Sequence, residues 1–436
     1  MERLHGGSRP AIRHAPGPDR HRVPGIGPER APPPRHRAGH QRHIRPGCAR
    51  CNHGRSQRDA RGRVRLRALA LRARGSGRGG ERAVHGGLER GGAVSLGGSA
   101  VSDPVRVVVV GAGAIAQVAH LPALRRLAGV EVAAICDNDS SKAQALAARF
   151  QVPDAYDDIE DVLRYARAAA AVICTPNHLH ESHVVAALAA GLHVLCERPL
   201  ALTAAGVERV LKASERYGKR VIVGMNHRFR SDVQAVRSFL AGGELGTIQA
   251  VRGGWHTFQP ARQLPTWRQR RQESGGGAVL DLGVTLLDLG LWLSGWPAPK
   301  RISAHVLRHG GADSVEEMGS VLVVCDNGVS FSVDVSWRHL AEGERFWFDI
   351  VGTKGSAAIQ PLRILKDVHG VPTDVTPTGA TGRETQFAQS YRAEWTYFLA
   401  VIKGDVNAPP PRDQLILHQI VDAAYRSADE GRDVIL

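Results

Sequence analysis

The chain has 436 residues, 43 % of them hydrophobic, and a formal net charge of +15; that length allows two or three domains with a sizeable core, and that charge raises nucleic acid as a partner. Residues 1–100 hold 22 Arg, no Lys and 6 acidic groups, a net of +16, which leaves 35 basic and 36 acidic groups for the rest. All the excess charge therefore sits in the first hundred residues, which makes a nucleic-acid partner for residues 101–436 unexpected, and no run reaches the roughly 18 apolar residues that a membrane span needs.

Phe, Tyr and Trp are absent from the first hundred residues, which are dense in Arg, Gly, Pro and His. Such a segment buries too little apolar surface to offset chain entropy, so residues 1–102 are expected to be disordered. A basic RNA- or DNA-binding tail and a targeting segment are two readings of it; no apolar run follows a basic start, which counts against the second. The favoured reading is GC-rich DNA translated outside its frame, with the native start near Val101 and the segment dispensable for folding. Cys48-Ala-Arg-Cys51 resembles half a zinc site, but no second pair follows at ligand spacing. The six cysteines, mostly within apolar strands, suggest free thiols in a reducing compartment, the cytoplasm.

From Val105 the pattern changes. VRVVVV (105–110) is a β-branched run of the kind found in fully buried parallel strands. GAGAIA (111–116) follows and opens a helix to about Leu127. VEVAAICD (130–137) is a second buried strand, KAQALAARF (142–150) a helix, AYDDIEDVLR (155–164) a loop and helix, and AAAVICTP (169–176) a third strand. HESHVVAALAAG (180–191) is a helix stopped by Gly191. HVLCERP (193–199) is a strand, 203–218 a helix and RVIVGMN (220–226) a strand. This alternation predicts a doubly wound parallel sheet, a Rossmann domain over 103–227.

Within it, GAGAIA has the form of a dinucleotide turn. Gly111 permits the tight turn, Gly113 lets backbone approach a pyrophosphate, Ala114 and Ile115 open the helix N-terminus, and Ala116 sits where helix meets strand. Asp137 ends the second strand, twenty-one residues past Ala116. A carboxylate there accepts from the ribose hydroxyls and repels a 2′-phosphate, which favours NAD; Lys142 leaves NADP open.

Residues 228–436 predict an α+β domain on an open, mainly antiparallel sheet. A helix at 231–241, a strand VRGGWHTF (251–258) and a long basic loop (259–277) precede an apolar helix, GAVLDLGVTLLDLGLWLSG (277–295). The hairpin SVLVVCDNGVSFSVDVSW (320–337) turns at Asp326-Asn327-Gly328, and 346–359 holds another strand pair. On the apolar helix Asp281, Thr285 and Asp288 stand at i, i+4 and i+7, one polar stripe. Asp281 reads as a general acid/base facing a cleft, ahead of a helix-start role; Asp288 reads as half of a structural ion pair.

Taken in order, VVVVGAGAIA, CDNDSSKA, TPNHLH, HVLCERPLA, VGMNHRF, SGGGAVLDLGVTLLD and VGTKGS resemble the glucose–fructose oxidoreductase, inositol dehydrogenase and rhizopine-catabolism family (Gfo/Idh/MocA) from about Pro104 onward. The resemblance implies a Rossmann domain and a C-terminal open sheet that walls the substrate site and joins subunits. It implies hydride transfer between a nicotinamide and a sugar, cyclitol or related polyhydroxylated molecule. It further implies cofactor contacts for Thr175, Pro176, Asn177, His180, Glu197, Arg198 and Asn226, and catalysis by Arg198, Asp281 and Thr285. Two of those three depart from the family pattern. Its Glu-Lys-Pro is Glu197-Arg198-Pro199 here, and the histidine of its Asp-x-Gly-x-His is Thr285. Arginine keeps the charge but cannot release a proton at cellular pH, and threonine can only donate or relay.

Asp281 is then the one member of the set that still titrates. His180 and His256 are candidates to replace the lost histidine; His256 and Arg268, beside Trp267, are candidate substrate contacts. HLHESH (178–183) looks like a metal cluster, but in the family this stretch lies along the nicotinamide, and no metal is expected. The leading reading is an NAD(P)-dependent oxidoreductase, NAD favoured, of a sugar, cyclitol or related polyhydroxylated molecule, a homo-oligomer through its C-terminal sheet. The alternative is a cofactor-binding homologue without dehydrogenase activity, with a binding or regulatory role. Neither a membrane nor a nucleic-acid partner is expected.

Overall fold

In the computed structural model the run VRVVVV becomes β1 (Val105–Val110), the middle of a parallel sheet. The structure describes residues 103–259, 266–310, 314–378 and 384–436, and the backbone of 64–65. Apart from those two residues, the expectations for residues 1–102, Cys48 and Cys51 among them, lie outside the described residues. β1 pairs with β2 (Val130–Cys136) on one side and β4 (Ala170–Ile173) on the other, both parallel. With β3 (Asp154–Tyr156), β5 (His193–Glu197) and β6 (Val221–Gly224) the order is 3-2-1-4-5-6, and the backbone of Val64–Arg65 lies antiparallel beside β3. The direction of winding reverses between β1 and β4, so a crevice opens at their carboxyl ends.

Helices connect these strands: α1 (116–124), α2 (Ser140–Phe150), α3 (Ile159–Tyr165), α4 (Asn177–Ala189) and α5 (Ala204–Tyr217). Their starts follow from the sequence: Asp139, Asp158 and Thr203 each accept a backbone N–H from the first turn of α2, α3 and α5. β3 corrects the reading of 155–164 as only a loop and helix. Three residues are too short to display a strand period.

The second sheet has nine strands. After α6 (Ser231–Ala241) come β7 (Ile248–His256), α7 (279–293), β8 (Pro299–Leu307), β9 (Met318–Cys325), β10 (Ser330–Ser336), β11 (Arg345–Gly352), β12 (Gly355–Ile359), β13 (Arg363–Val368) and β14 (Val371–Asp374). The chain closes with α8 (Gln386–Lys403), α9 (Asp413–Glu430) and β15 (Val434–Ile435). The spatial order is 14-13-12-11-7-10-9-8-15, antiparallel throughout except for β7 and β10. The Asp-Asn-Gly turn joins β9 to β10 as expected, with Gly328 at φ +83°.

Along β9, β10 and β11 buried residues alternate with more exposed ones, so among the described residues one face of this sheet is covered and the other is open. α7 packs on the covered face, where a Cβ on Gly253 would meet Phe348 at 2.9 Å and Leu286 at 3.4 Å. The stretch 271–293 is, by length and composition, apolar enough to cross a membrane, and its apolar part is mostly buried inside the molecule. β8, β13, β14, β15, α8 and α9 had no counterpart in the sequence reading. α8 matters most: its Tyr391, Trp395 and Phe398 belong to the core of the first sheet, packed with Val107, Ala116 and Ala119.

Candidate active site

A cleft of about 1070 Å3 opens at the carboxyl ends of the first sheet. Gly111, Gly113 and Asp137 line one end; Glu197, Arg198, Asp281 and Arg268 line the other. Gly111 sits at φ +101°, and a Cβ there would stand 2.7 Å from the Cys174 carbonyl, so only glycine makes this turn. A Cβ on Gly113 would meet nothing closer than 3.8 Å, which leaves room for a ligand against the backbone. Ala114 and Ile115 continue the wall, whereas Ala116 is fully buried at the helix–strand contact and does not line the cleft. The first turn of α1 is a wide π-turn, Ala116–His120.

Asp137 is aimed by the turn itself. Its Oδ2 accepts from Ala112 N at 2.8 Å and its Oδ1 from Asp139 N at 3.0 Å. Each oxygen keeps a lone pair for a ribose hydroxyl. Lys142, the residue that left NADP open, pairs with Asp139 at 3.0 Å. A cradle that a Cβ would fill, a helix N-terminus and an aimed carboxylate fit a dinucleotide. Gly111, Gly113 and Asp137 would hold its adenosine and pyrophosphate, and Thr175, Pro176 and Asn177, which line the middle of the cleft, would flank the rest.

The middle wall is tied down on all sides. Asn177 Nδ2 donates to Ser274 O at 2.8 Å, and Thr175 Oγ1 bonds His183 Nδ1 at 3.2 Å. Burial holds the His183 imidazole down at about 4, helped by the neighbouring His180 and His178. His180 is clasped by Pro199 O at 2.6 Å and Thr175 O at 2.8 Å. Burial pulls its pKa below the ordinary value, against the two carbonyls. With both ring nitrogens engaged, His180 joins two loops and is not the replacement acid/base.

At the other end Glu197 closes β5. Its Oε1 meets His120 Nε2 at 2.8 Å and accepts from Tyr391 at 3.3 Å. Burial pushes the Glu197 carboxyl up, but the hydrogen bond from His120 and then the Arg198 charge bring it below its ordinary value. Glu394, on the next turn of α8, has neither oxygen hydrogen-bonded; burial and then Glu197 push it well above the usual range. Of these two buried acids Glu197 is the ionised one.

Arg198 bridges β5 to α7. Its Nη1 donates to the Asp281 carbonyl and lies 3.8 Å from Asp281 Oδ1. Asp281 Oδ2 accepts from the Trp337 indole at 3.2 Å. The two side chains are 19 % and 28 % exposed, so a charged pair faces the cleft without being sealed. Arg268 lines the same end, its guanidinium 4.4 Å over the Trp267 ring.

Three expectations are corrected. Thr285 is buried, its hydroxyl has no hydrogen-bond partner, and it does not line the cleft, so it relays nothing. Asn226 is buried behind the cleft, donating to Ser390 Oγ at 3.1 Å. His256 sits on the open face of the second sheet, bonded to Asp334 at 2.6 Å and edge-on to Trp347. From Val251 onward the odd residues Val251, Gly253 and Trp255 pack inward, so the even His256 points away from the cleft. Asp288 is held by Arg228, which also bonds Asp413 at 2.7 Å, the structural pair expected.

His120, Trp337, Tyr391 and Trp395 escaped the sequence reading. Two had a signal. His120 is one helical turn past Ala116 on the buried side, and Trp337 extends the inward register of Phe331, Val333 and Val335. Tyr391 and Trp395 had none, because their partners lie about 200 to 275 residues away.

Residues 105–225 match the family model described as an oxidoreductase family with an NAD-binding Rossmann fold, and 233–358 match the GFO/IDH/MocA C-terminal domain. D-glucoside 3-dehydrogenase of Escherichia coli is 27 % identical over 355 residues, 77 % of this chain and 98 % of the relative. D-apiose dehydrogenase of Paraburkholderia graminis is 28 % identical over 329 residues, 73 % and 86 % of the two chains. The crystal structure of GenD2 from gentamicin A biosynthesis, in complex with NAD, superposes with a TM-score of 0.67 at 25 % identity, covering 80 % of this chain and 99 % of its own. With its first sheet and most of its second matched and its dinucleotide turn in place, the chain belongs to the Gfo/Idh/MocA family of NAD-binding oxidoreductases.

Proposed function

We propose that this chain oxidises or reduces a sugar or cyclitol with NAD, Arg198 holding charge at the reacting oxygen and Asp281 handling the proton. The observation that carries this reading is one continuous cleft, with the glycine turn and Asp137 at one end and Arg198 with Asp281 at the other. The substrate class rests on the named activities of the relatives, which act on a glucoside and on apiose. The chemistry the dinucleotide supplies when bound is hydride transfer at its nicotinamide. Everything else falls to the protein. Arg198 stays charged at any cellular pH, and among the described residues its Nε and Nη2 have no hydrogen-bond partner. An oxygen against them is stabilised as negative charge develops there. Asp281, oriented by Trp337, takes or returns the proton directly or through a water.

The open face of the second sheet supports a homo-oligomer: Leu322 and Met318 stand 40 % and 36 % exposed there. The four cysteines of the described residues are free and buried, which supports a reducing compartment, the cytoplasm. The test is NADH binding by fluorescence followed by a screen of sugars and cyclitols. Saturable binding with turnover on at least one polyol is expected. Binding without turnover on any, also after Arg198→Lys, would favour a cofactor-binding role without dehydrogenase activity.

A further inference from the structure

Behind Glu197 lies a buried chain of hydrogen bonds that joins three distant parts of the sequence. Trp395 Nε1, on α8, lies 3.0 Å from His120 Nδ1, on α1; His120 Nε2 lies 2.8 Å from Glu197 Oε1, at the end of β5. An indole N–H can only donate. His120 Nδ1 must therefore accept, and the ring proton must sit on Nε2, directed at Glu197. The tautomer is decided by Trp395 and not by solvent, because His120 is 0 % exposed. Tyr391 and Trp395 also hold the ring edge-on, at 5.2 Å and 5.9 Å.

Both donors, His120 and Tyr391, converge on Oε1. Oε2 takes neither, and Glu197 lines the cleft on the same side as Arg198. A carboxylate can only accept, so the ligand group that meets Oε2 must be a donor. At the far end of the cleft from Asp137, the donors a nicotinamide dinucleotide presents are its ribose hydroxyls and its carboxamide N–H, and of these the carboxamide is the one carried on the ring that must lie beside Arg198.

We propose that His120 is a positioning residue: locked by Trp395 with its proton on Nε2, it and Tyr391 aim Glu197 so that Oε2 takes the carboxamide N–H of the nicotinamide and fixes the ring beside Arg198. The inference rests on the dinucleotide reading of the cleft and deepens it. It also explains why a helix from the end of the chain is built into the first core. α8 supplies the group that chooses the tautomer.

The test uses the full-length protein and three ligands: NADH, its acetylpyridine analogue, which lacks the carboxamide N–H, and ADP-ribose, which lacks the ring. Unmutated protein should bind NADH better than the analogue. His120→Asn, whose amide is too short to reach Glu197, should weaken NADH roughly tenfold, the scale of one hydrogen bond to a charged group, and erase the preference over the analogue. His120→Gln places an amide N–H where Nε2 stood and should recover most of that loss. Tyr391→Phe, which removes one hydroxyl, should lose part of it. ADP-ribose should bind all four proteins alike. Nitrogen-15 NMR of the unmutated protein should show His120 protonated at Nε2 alone. A proton on Nδ1, equal losses in the Asn and Gln variants, or a parallel loss of ADP-ribose would overturn the proposal and leave His120 a packing residue. Failure of unmutated protein to bind either NADH or ADP-ribose would remove the dinucleotide reading and this inference with it.

Discussion

Arg198 and Asp281 meet through one backbone hydrogen bond and a 3.8 Å approach between charges. In the proposed reaction Arg198 holds charge and Asp281 handles the proton, so the two should respond differently to substitution. Asp281→Asn should abolish turnover and leave NADH affinity nearly unchanged. Arg198→Lys should keep or raise turnover, and Arg198→Met should lower kcat by about two orders of magnitude, the size of one positioned donor. Steady-state kinetics on the screened substrate, with NADH titrations in parallel, checks all three. His227 gives a residue-scale prediction about pH. Its ring stacks on Phe346 and its Nδ1 is buried without a partner; burial, then the charges of Arg230 and Arg198, lower it to about 3. Between that value and the ordinary 6.5 the unfolded chain binds the proton and the folded one does not. Stability from this group is full above about pH 6.5 and falls by about 1.4 kcal/mol per pH unit on acidification. His180, His183 and His193 are lowered by burial too and add slope of the same sign, so urea denaturation from pH 6.5 to 5 should show at least that slope, and His227→Phe should reduce it by the share of this one group.

At the scale of elements, α7 carries most of the inference, and it is fastened at its middle as well as at its start. Arg228 bonds Asp288 through two nitrogens and reaches Asp413 on α9. Burial pushes Asp288 up and the Arg228 charge opposes it. Removing the cation strands a buried carboxylate, so Arg228→Met should cost about 3–5 kcal/mol. Chemical denaturation would measure it, and a loss below about 1 kcal/mol would mean the pair is better solvated than its burial implies. α7 was legible because it is apolar on all sides and long. Asp288 was legible as structural because a charge on such a helix needs a partner. Which residue supplied the partner was not legible, since Arg228 is 60 residues away.

At the scale of the whole molecule, the described residues leave one face of the nine-stranded sheet open. Leu322 and Trp347 belong to that face, with His256 and Asp334 between them in the strand order. If copies join there, Leu322→Glu should convert the assembly to monomer in light scattering while the melting temperature of the monomer and its NADH binding hold. Local patterns carried the sequence reading a long way. Buried parallel strands are nearly continuous apolar runs, a dinucleotide turn is a short motif in a strand–helix context, and the Asp-Asn-Gly hairpin declares itself. The doubly wound sheet, Gly111, Gly113, Asp137, Arg198 and Asp281 were all visible in windows of ten residues or so. Tertiary structure decided which of the paired candidates face the cleft. Thr285 and Asp281 share a helix stripe in the sequence, yet Asp281 lies in a π-turn (Val279–Gly283) and Thr285 in the regular helix after it, and packing against the sheet sealed the threonine and left the aspartate open. His256 turned outward because register, not composition, chooses a strand's face. His120 and Tyr391 became visible only when α8 folded back onto the first sheet. A contact across 275 residues leaves no periodicity in the chain, and the free energy that forms it comes from burying Tyr391, Trp395 and Phe398 together.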